Sequence, residues 1–234
     1  MRVPTGEGPA VLQAEEGESL IDVVLVGELL VQCQRALRHY RRLRSASRRW
    51  VRGPQNGRTA DVLWDELQSF LSATAAASRV LWEGQCRKKL HRFDKCEDRA
   101  KRIRSALAID DSSPLWSREA RNTFEHHEEL LQSWIEHHPD GGTITGPAIG
   151  RLEDFPVGRS WYHRVLDPFT LRFRHLDQPP TDLTDVAREV RTVVSRLKRR
   201  ARTDRDWASV MEAVEWVPSH PREAASVAAI PPSP

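Results

Sequence analysis

The sequence predicts a mainly α-helical protein: an antiparallel bundle of four to five helices, with a small β-hairpin inserted after the fourth helix. Two observations predict this class. Long segments repeat apolar residues at the three- and four-residue spacing of amphipathic helices. One stretch rich in Gly and Pro, with short alternating apolar and polar runs, follows Gly141. Helices joined by short turns pack as antiparallel neighbours, which gives the bundle.

Composition limits the size of the protein core and the kind of partner. With 234 residues, 39% apolar, and eight tryptophans, the chain can bury one good core. The net charge is only +3, but the basic residues are nearly all arginine and are clustered. Such clusters bind phosphate or form solvated helix faces. Because an Arg-rich, Lys-poor chain is also typical of a GC-rich genome, the clusters alone do not decide between these two roles.

Several classes of protein are disfavoured by what the sequence lacks. Three cysteines, an odd and sparse set, argue against a disulfide framework and favour a reducing, cytoplasmic location. The start of the chain has no signal-peptide core, and Asp22 and Glu28 interrupt the longest apolar run, so no membrane segment is expected. The sequence contains no P-loop, dinucleotide-binding motif, nucleophile elbow or HExxH, which argues against the common nucleotide-binding, hydrolase and metalloprotease classes.

The predicted bundle occupies residues 18–140, after a flexible lead over 1–17. The first helix, 18–46, is apolar almost all round in its first half and arginine-rich in its second. The second starts at Thr59 or Asp61, after the turn GPQNG, and runs to about Trp82. Its predicted inner face consists of Leu63, Leu67, Phe70, Leu71, Ala77 and Leu81.

Two further helices complete the bundle. The third, over about 85–108, carries dense charge between its apolar positions. The fourth, over 114–138, begins with a Ser113 cap and Pro114 in the first helical position, and it ends at the sequence HHPDGG.

The remainder of the chain contains short strands followed by helix. Within an annex over 141–180, the runs WYHRVL and FTLRFRHL, split by DP, predict the hairpin. C-terminal helices over 181–216 start at Thr181 or Thr184 and pack on the bundle, with a short helix around Trp207 folding back. The predicted inner face of the fifth helix consists of Val186, Val190, Val193, Val194 and Leu197. A disordered tail is expected over 217–234.

Polar residues with catalytic potential lie on the predicted fourth helix, in the sequence ARNTFEHHEELL. Asn122 and His126 are four residues apart, so they share one side of the helix. Arg121 lies well round the cylinder from His126, and a second copy of the chain or an irregular first turn has to bring the two together. His127 lies within the apolar stripe, as expected of a core histidine. Glu125 and Glu129 are surface acids without a catalytic role.

Arg, then Asn, then three residues, then His, on a late helix of an all-α bundle, resembles the signature of the HEPN superfamily. The resemblance covers residues 18 to 138 and implies a metal-independent endoribonuclease of the kind found in toxin–antitoxin, phage-defence and RNA-processing systems. It implies that Arg121, Asn122 and His126 are the motif residues and that the active site forms between two subunits of a homodimer. RNA is then the substrate, and an antitoxin or another protein is a further partner. About a hundred residues follow the motif, where compact members of the superfamily end sooner.

The residue types suit such a reaction without a metal or cofactor. A histidine with a pKa near 6.5 can take the 2′-hydroxyl proton of RNA or donate a proton to the leaving oxygen. Arg121 can hold the scissile phosphate and stabilise the charge that develops on it. Asn122 can orient His126 or donate to the phosphate. This chemistry predicts 2′,3′-cyclic phosphate ends and no cleavage of DNA.

A second candidate site is the arginine-rich end of the first helix, RALRHYRRLRSASRRWVR. Its arginines, interleaved with His39, Tyr40 and Trp50, suit phosphate contact together with base stacking. The expected nucleic-acid-binding residues are Arg38, Arg41, Arg42, Arg44, Arg48 and Arg49. The alternative interpretation of this segment is a solvated helix end. A non-catalytic protein that binds nucleic acid or a protein partner through this surface is therefore the second functional hypothesis.

A structural metal is not expected. Cys86, His91 and Cys96 are five residues apart, which spreads them round a helix, whereas zinc sites favour pairs of cysteines two to four residues apart.

Overall fold

The structure is a computed structural model that describes residues 9–82, 93–116, 127–137, 143–155, 160–176, 178–203 and 207–208. Most of these residues are helical, and a small mixed β-sheet accompanies the helices. The described helices are α1 (Pro9–Arg52), α2 (Gly57–Leu81), α3 (Phe93–Ala106), α4 (His127–His137) and α5 (Leu183–Ala201). The predicted helical class is confirmed, and the β-structure is more extensive than a single hairpin.

Helix α1 is longer than predicted at both ends. It includes residues 9–17, which the sequence suggested to be a flexible lead. Pro9 suits a first helical position, and the Ala, Leu, Gln and Glu residues after it are good helix formers. At the other end α1 continues to Arg52 and stops at Gly53. A Cβ atom at Gly53 would lie 2.9 Å from the Arg49 carbonyl oxygen, so glycine permits the chain to turn there.

Helices α1 and α2 form an antiparallel helical hairpin. Residues 53–56 join them, and Asn56 caps α2 by accepting a hydrogen bond from the Thr59 N–H at 3.1 Å. The Thr59 hydroxyl donates back to the Asn56 carbonyl at 2.9 Å. Farther along the pair, the rings of Tyr40 and Phe70 lie 5.6 Å apart. These contacts fix which faces of the two helices meet.

The core joins the helices to the sheet. The predicted inner face of α2 is buried throughout, and on α5 the predicted residues are buried except Val194, which is partly buried. These side chains form one cluster with Leu29, Leu30 and Leu43 of α1 and with Leu166 and Phe173 of the sheet. Trp207 packs against the same cluster.

The third and fourth helices differ from their predicted boundaries. Helix α3 ends at Ala106, and the predicted start near residue 85 lies outside the described residues. Residues 111–116 form turns, so the predicted helix start at Pro114 is wrong. The Ser113 hydroxyl accepts from the Leu115 N–H at 3.3 Å and donates to Glu189 Oε1 on α5 at 3.1 Å. This local bonding competes with helix formation.

The β-structure follows α4 in the chain. The strands form two separate sheets and are β1 (Thr143–Thr145), β2 (Ala148–Ile149), β3 (Ser160–Tyr162), β4 (Arg164–Asp167), β5 (Arg172–His175) and β6 (Thr181–Asp182). β1 pairs parallel with β3, and a four-stranded sheet has the order β2-β4-β5-β6. β4 and β5 come from the two runs of the predicted hairpin and pair antiparallel, with Leu166 opposite Phe173. The short strands β2 and β6 have two residues each, too few to show alternation.

No helix in the described part of the chain combines the length and the apolar character needed to cross a membrane.

Candidate nucleic-acid interface

The structure describes only one of the two predicted sites. Arg121, Asn122 and His126 lie outside the described residues, as does the side chain of His127. The arginines predicted to bind nucleic acid are all described, and all are exposed: Arg38, Arg41, Arg42, Arg44, Arg48 and Arg49. The geometry of the second site can therefore be built from its residues.

These arginines form one continuous surface on α1. At about 100° per residue, they and Arg52 occupy about half of the helix circumference. The opposite half carries the buried side chains of Tyr40, Leu43 and Ser47. We call the exposed half the arginine face and define it as Arg38, Arg41, Arg42, Arg44, Arg48, Arg49 and Arg52.

One edge of the arginine face contacts α2 and serves to hold the two helices together. Glu66 of α2 has its Oε2 2.8 Å from His39 Nδ1 and its Oε1 3.8 Å from Arg42 Nη1. Arg49, by contrast, bonds within α1, donating to the Ser45 hydroxyl at 2.9 Å. The positive charge of Arg42 is partly compensated by Glu66, so this edge is the weaker phosphate-binding candidate.

The other edge carries arginines without such partners. Arg44, Arg48 and Arg52 follow each other at four-residue spacing, so they form a row with about 6 Å of rise between neighbours. None of the three has an ion pair or hydrogen bond with another described residue. Uncompensated guanidinium groups at this spacing can donate to several phosphate oxygens at once.

This row forms one wall of a groove of about 300 Å³ between α1 and the β4–β5 turn. We call it the arginine groove, and its lining residues are Arg44, Ser47, Arg48, Val51, Arg52, Pro168, Phe169 and Leu171. One wall is cationic and the other is apolar and aromatic. A ligand that matches both walls carries negative charge and a flat apolar surface.

Ser47 lies inside this groove and is only 2% exposed. Its Oγ has no hydrogen-bond partner among the described residues. Leaving a buried hydroxyl without a partner costs about 1–3 kcal/mol. Ser47 is therefore a groove-lining residue whose hydroxyl has an unmet hydrogen bond.

The aromatic wall is Phe169, whose side chain is 44% exposed. Asp167, buried at the end of β4, accepts hydrogen bonds through Oδ1 from the Phe169 N–H at 2.8 Å and the Thr170 N–H at 3.1 Å. Leu171 then adopts a left-handed conformation, with φ of 55°. Arg151 Cζ lies 4.4 Å from the centroid of the Phe169 ring, a favourable cation–π contact. The turn thus holds the ring at the surface.

The aromatic residues expected to stack on bases are buried, and the exposed aromatic residue beside the arginines is a different one. Tyr40 is 2% exposed and Trp50 is 8% exposed, so the expectation that they stack on bases is wrong. Both lie on the half of α1 that faces the core, opposite the arginines. The residues expected to bind nucleic acid did not include Phe169 or Ser47, and Arg52 belonged to the arginine-rich segment without being among them. The signal for Phe169 was the DPF sequence between the two strand runs, since Asp-Pro favours a turn that exposes the next residue.

The described residues contain no group of three or more His, Cys, Asp or Glu side chains that could hold a metal ion.

No protein-family model, curated protein or solved structure matches this chain.

Proposed function

We propose that the protein binds RNA through the arginine face of α1. The observation that carries this proposal is the exposed row of Arg44, Arg48 and Arg52, which lacks acidic partners among the described residues and lies beside an exposed phenylalanine. Arginine rows supply the electrostatic part of nucleic-acid affinity, and exposed aromatic rings supply base stacking. We therefore assign the predicted nucleic-acid binding mainly to the edge of α1 that carries this row.

The choice of RNA over DNA depends on the sequence motif. Phosphates and base faces are common to both polymers, so the arginine face alone does not distinguish them. The Arg121, Asn122 and His126 pattern suits chemistry at a 2′-hydroxyl, which only RNA carries. A DNA strand of the same sequence is therefore the informative competitor.

The binding experiment compares two charge-matched variants by fluorescence anisotropy with a 5′-labelled single-stranded RNA. One variant is Arg44→Ala/Arg48→Ala/Arg52→Ala in the groove row. The other is Lys198→Ala/Arg199→Ala/Arg202→Ala at the exposed end of α5, which removes the same charge elsewhere. We expect only the first to weaken binding strongly and to reduce the slope of log affinity against log salt by about 2, since each single-strand phosphate contact contributes about 0.7. Equal losses in both variants contradict the assignment to α1.

The second candidate function is metal-independent endoribonuclease activity by a homodimer in a toxin–antitoxin or phage-defence system. The sequence motif supports it: Arg121 would hold the scissile phosphate, and His126 would transfer the proton. In this case the arginine face holds the RNA substrate, and cleavage follows at the motif. If the motif is inactive, the protein remains a non-catalytic RNA-binding protein, or one that binds a protein partner through the same surface.

Cleavage is tested with His126→Ala, with His137→Ala as its control. His137 lies at the exposed end of α4, where its Nδ1 is 2.6 Å from the Ser133 carbonyl. We expect His126→Ala to abolish RNA cleavage, His137→Ala to retain it, and EDTA to have no effect. The products should carry 2′,3′-cyclic phosphates, and light scattering should give the mass of a dimer. Cleavage that survives in His126→Ala, or that EDTA stops, rejects the nuclease proposal without affecting the binding proposal.

A further inference from the structure

We infer that the arginine groove is a site for one unpaired nucleotide, which makes the protein selective for single-stranded over duplex nucleic acid. The inference rests on the proposed function, because it names the part of the RNA that the arginine face receives. In this site the base stacks on Phe169, and the phosphate lies along the row of Arg44, Arg48 and Arg52.

The size and the two walls of the groove fit this occupant. About 300 Å³ is at the lower end of the range for small-molecule sites, so the groove admits one nucleotide but no duplex. A nucleotide has a flat π surface at one end and an anionic group at the other. Phe169 and the arginine row present the matching surfaces on opposite walls.

Ser47 supplies an independent observation. Ser47 lines the groove, and its buried hydroxyl has no hydrogen-bond partner among the described residues. A phosphate or base oxygen in the groove would accept a hydrogen bond from it. The unmet hydrogen bond of the free protein would thus be made in the complex, which favours the bound state.

Arg151 completes the support of the aromatic wall. It contacts the Phe169 ring but does not line the groove, so it holds the ring from outside. Its Nη1 also lies 3.6 Å from Glu153 Oε1. The ring is therefore positioned before a base arrives, with a surface left open for stacking. A base that is paired and stacked within a duplex cannot reach this surface.

The test uses Phe169→Leu, with Phe169→Trp as the variant that keeps an aromatic ring. The probes are a labelled oligouridine RNA and an RNA duplex of the same length. Because Phe169 is exposed, neither substitution disturbs the core. We expect Phe169→Leu to weaken oligouridine binding about 5- to 150-fold, the range found for losing one base stack. Phe169→Trp should retain it, and duplex binding should change little in either variant.

Ser47→Ala separates ligand binding from a structural role. Since the hydroxyl has no partner in the part of the chain that the structure describes, its removal should leave the thermal midpoint unchanged or raised while oligouridine binding weakens. A lowered midpoint with unchanged binding contradicts a ligand-binding role for Ser47.

The outcomes distinguish this inference from the proposed function. If Phe169→Leu binds oligouridine as the wild type does, while the triple arginine variant does not, the nucleotide site is rejected and RNA binding on α1 stands. If Phe169→Leu weakens single-stranded and duplex binding equally, selectivity for an unpaired base is rejected. If neither variant affects binding, both proposals fail.

Discussion

Asp167 is the residue that determines where the Phe169 ring lies. Its carboxylate is buried, and one oxygen accepts two successive backbone N–H groups of the β4–β5 turn. A short acidic side chain in this position imposes the turn directly, because the two donors converge on a single oxygen. The exposure of Phe169 thus depends on a residue that does not itself line the groove.

Replacing Asp167 should separate the effect of its hydrogen bonds from the effect of its buried charge. Asp167→Ala leaves two backbone donors without their acceptor, so we expect the free energy of unfolding to fall by about 1–3 kcal/mol and RNA binding to weaken. Asp167→Asn keeps an oxygen at the same position and should retain most of the stability and most of the RNA binding. Urea denaturation and anisotropy measure the two effects. Equal behaviour of the two variants would mean that the hydrogen bonds do not position the turn.

Cys33 lies fully buried in α1, and burial raises the pKa of its thiol to about 12. Between about pH 9 and pH 12 the thiol therefore stays protonated in the folded protein, whereas it ionises in an unfolded chain. A raised pKa means that its contribution to stability is complete below about pH 9, the ordinary value, and is lost as the pH rises towards 12.

The burial and raised pKa of the Cys33 thiol predict that it reacts slowly with thiol reagents. In the native protein at pH 8, Ellman's reagent should leave Cys33 unmodified and react with the half-buried Cys96. Cys33→Ala should give the same native labelling as the wild type and should lose less stability between pH 9 and 11. Rapid native labelling of Cys33 would show that the thiol is accessible.

At the scale of elements, amphipathic periodicity predicts the buried faces of α2 and α5 well, because both helices face one core. In α1 the sequence pattern did not predict which side chains are buried. Arginines and aromatic residues alternate along its second half, yet a helix that packs on one side places them on opposite faces. Tyr40 and Trp50 are therefore buried while the arginines are exposed. Strands β2 and β6, at two residues each, offered no periodicity to detect.

The start of α2 allows a test of one predicted boundary. Asn56→Ala removes the side-chain acceptor of the Thr59 N–H, so we expect a loss of about 0.5–2 kcal/mol in the free energy of unfolding. Asn56→Ser retains an acceptor and should cost less. Chemical denaturation followed by circular dichroism provides the comparison. If both substitutions cost the same, the cap does not contribute to the start of the helix.

At the scale of the whole molecule, helices and sheet share one hydrophobic cluster. Leu166 and Phe173 of the sheet pack with the apolar faces of α1, α2 and α5. This long-range association depends on side chains far apart in the sequence, and local patterns could not predict it. The Arg121, Asn122 and His126 motif remains a prediction from the sequence, because those residues lie outside the described part of the chain.

A shared core predicts one cooperative unfolding transition. Phe173→Ala should lower the free energy of unfolding by about 3–5 kcal/mol, and circular dichroism and tryptophan fluorescence should report the same midpoint. Arg172→Ala, an exposed neighbour on the same strand, should change the midpoint little. Two separate transitions would mean that the sheet unfolds independently of the helices.

The two walls of the arginine groove come from segments more than a hundred residues apart in the sequence, α1 on one side and the β4–β5 turn on the other. A nascent chain emerging from the ribosome has its arginines in place long before Phe169 is synthesised. The Phe169 wall is added only once the turn has been made, so the proposed nucleotide site is incomplete until the chain extends beyond residue 171.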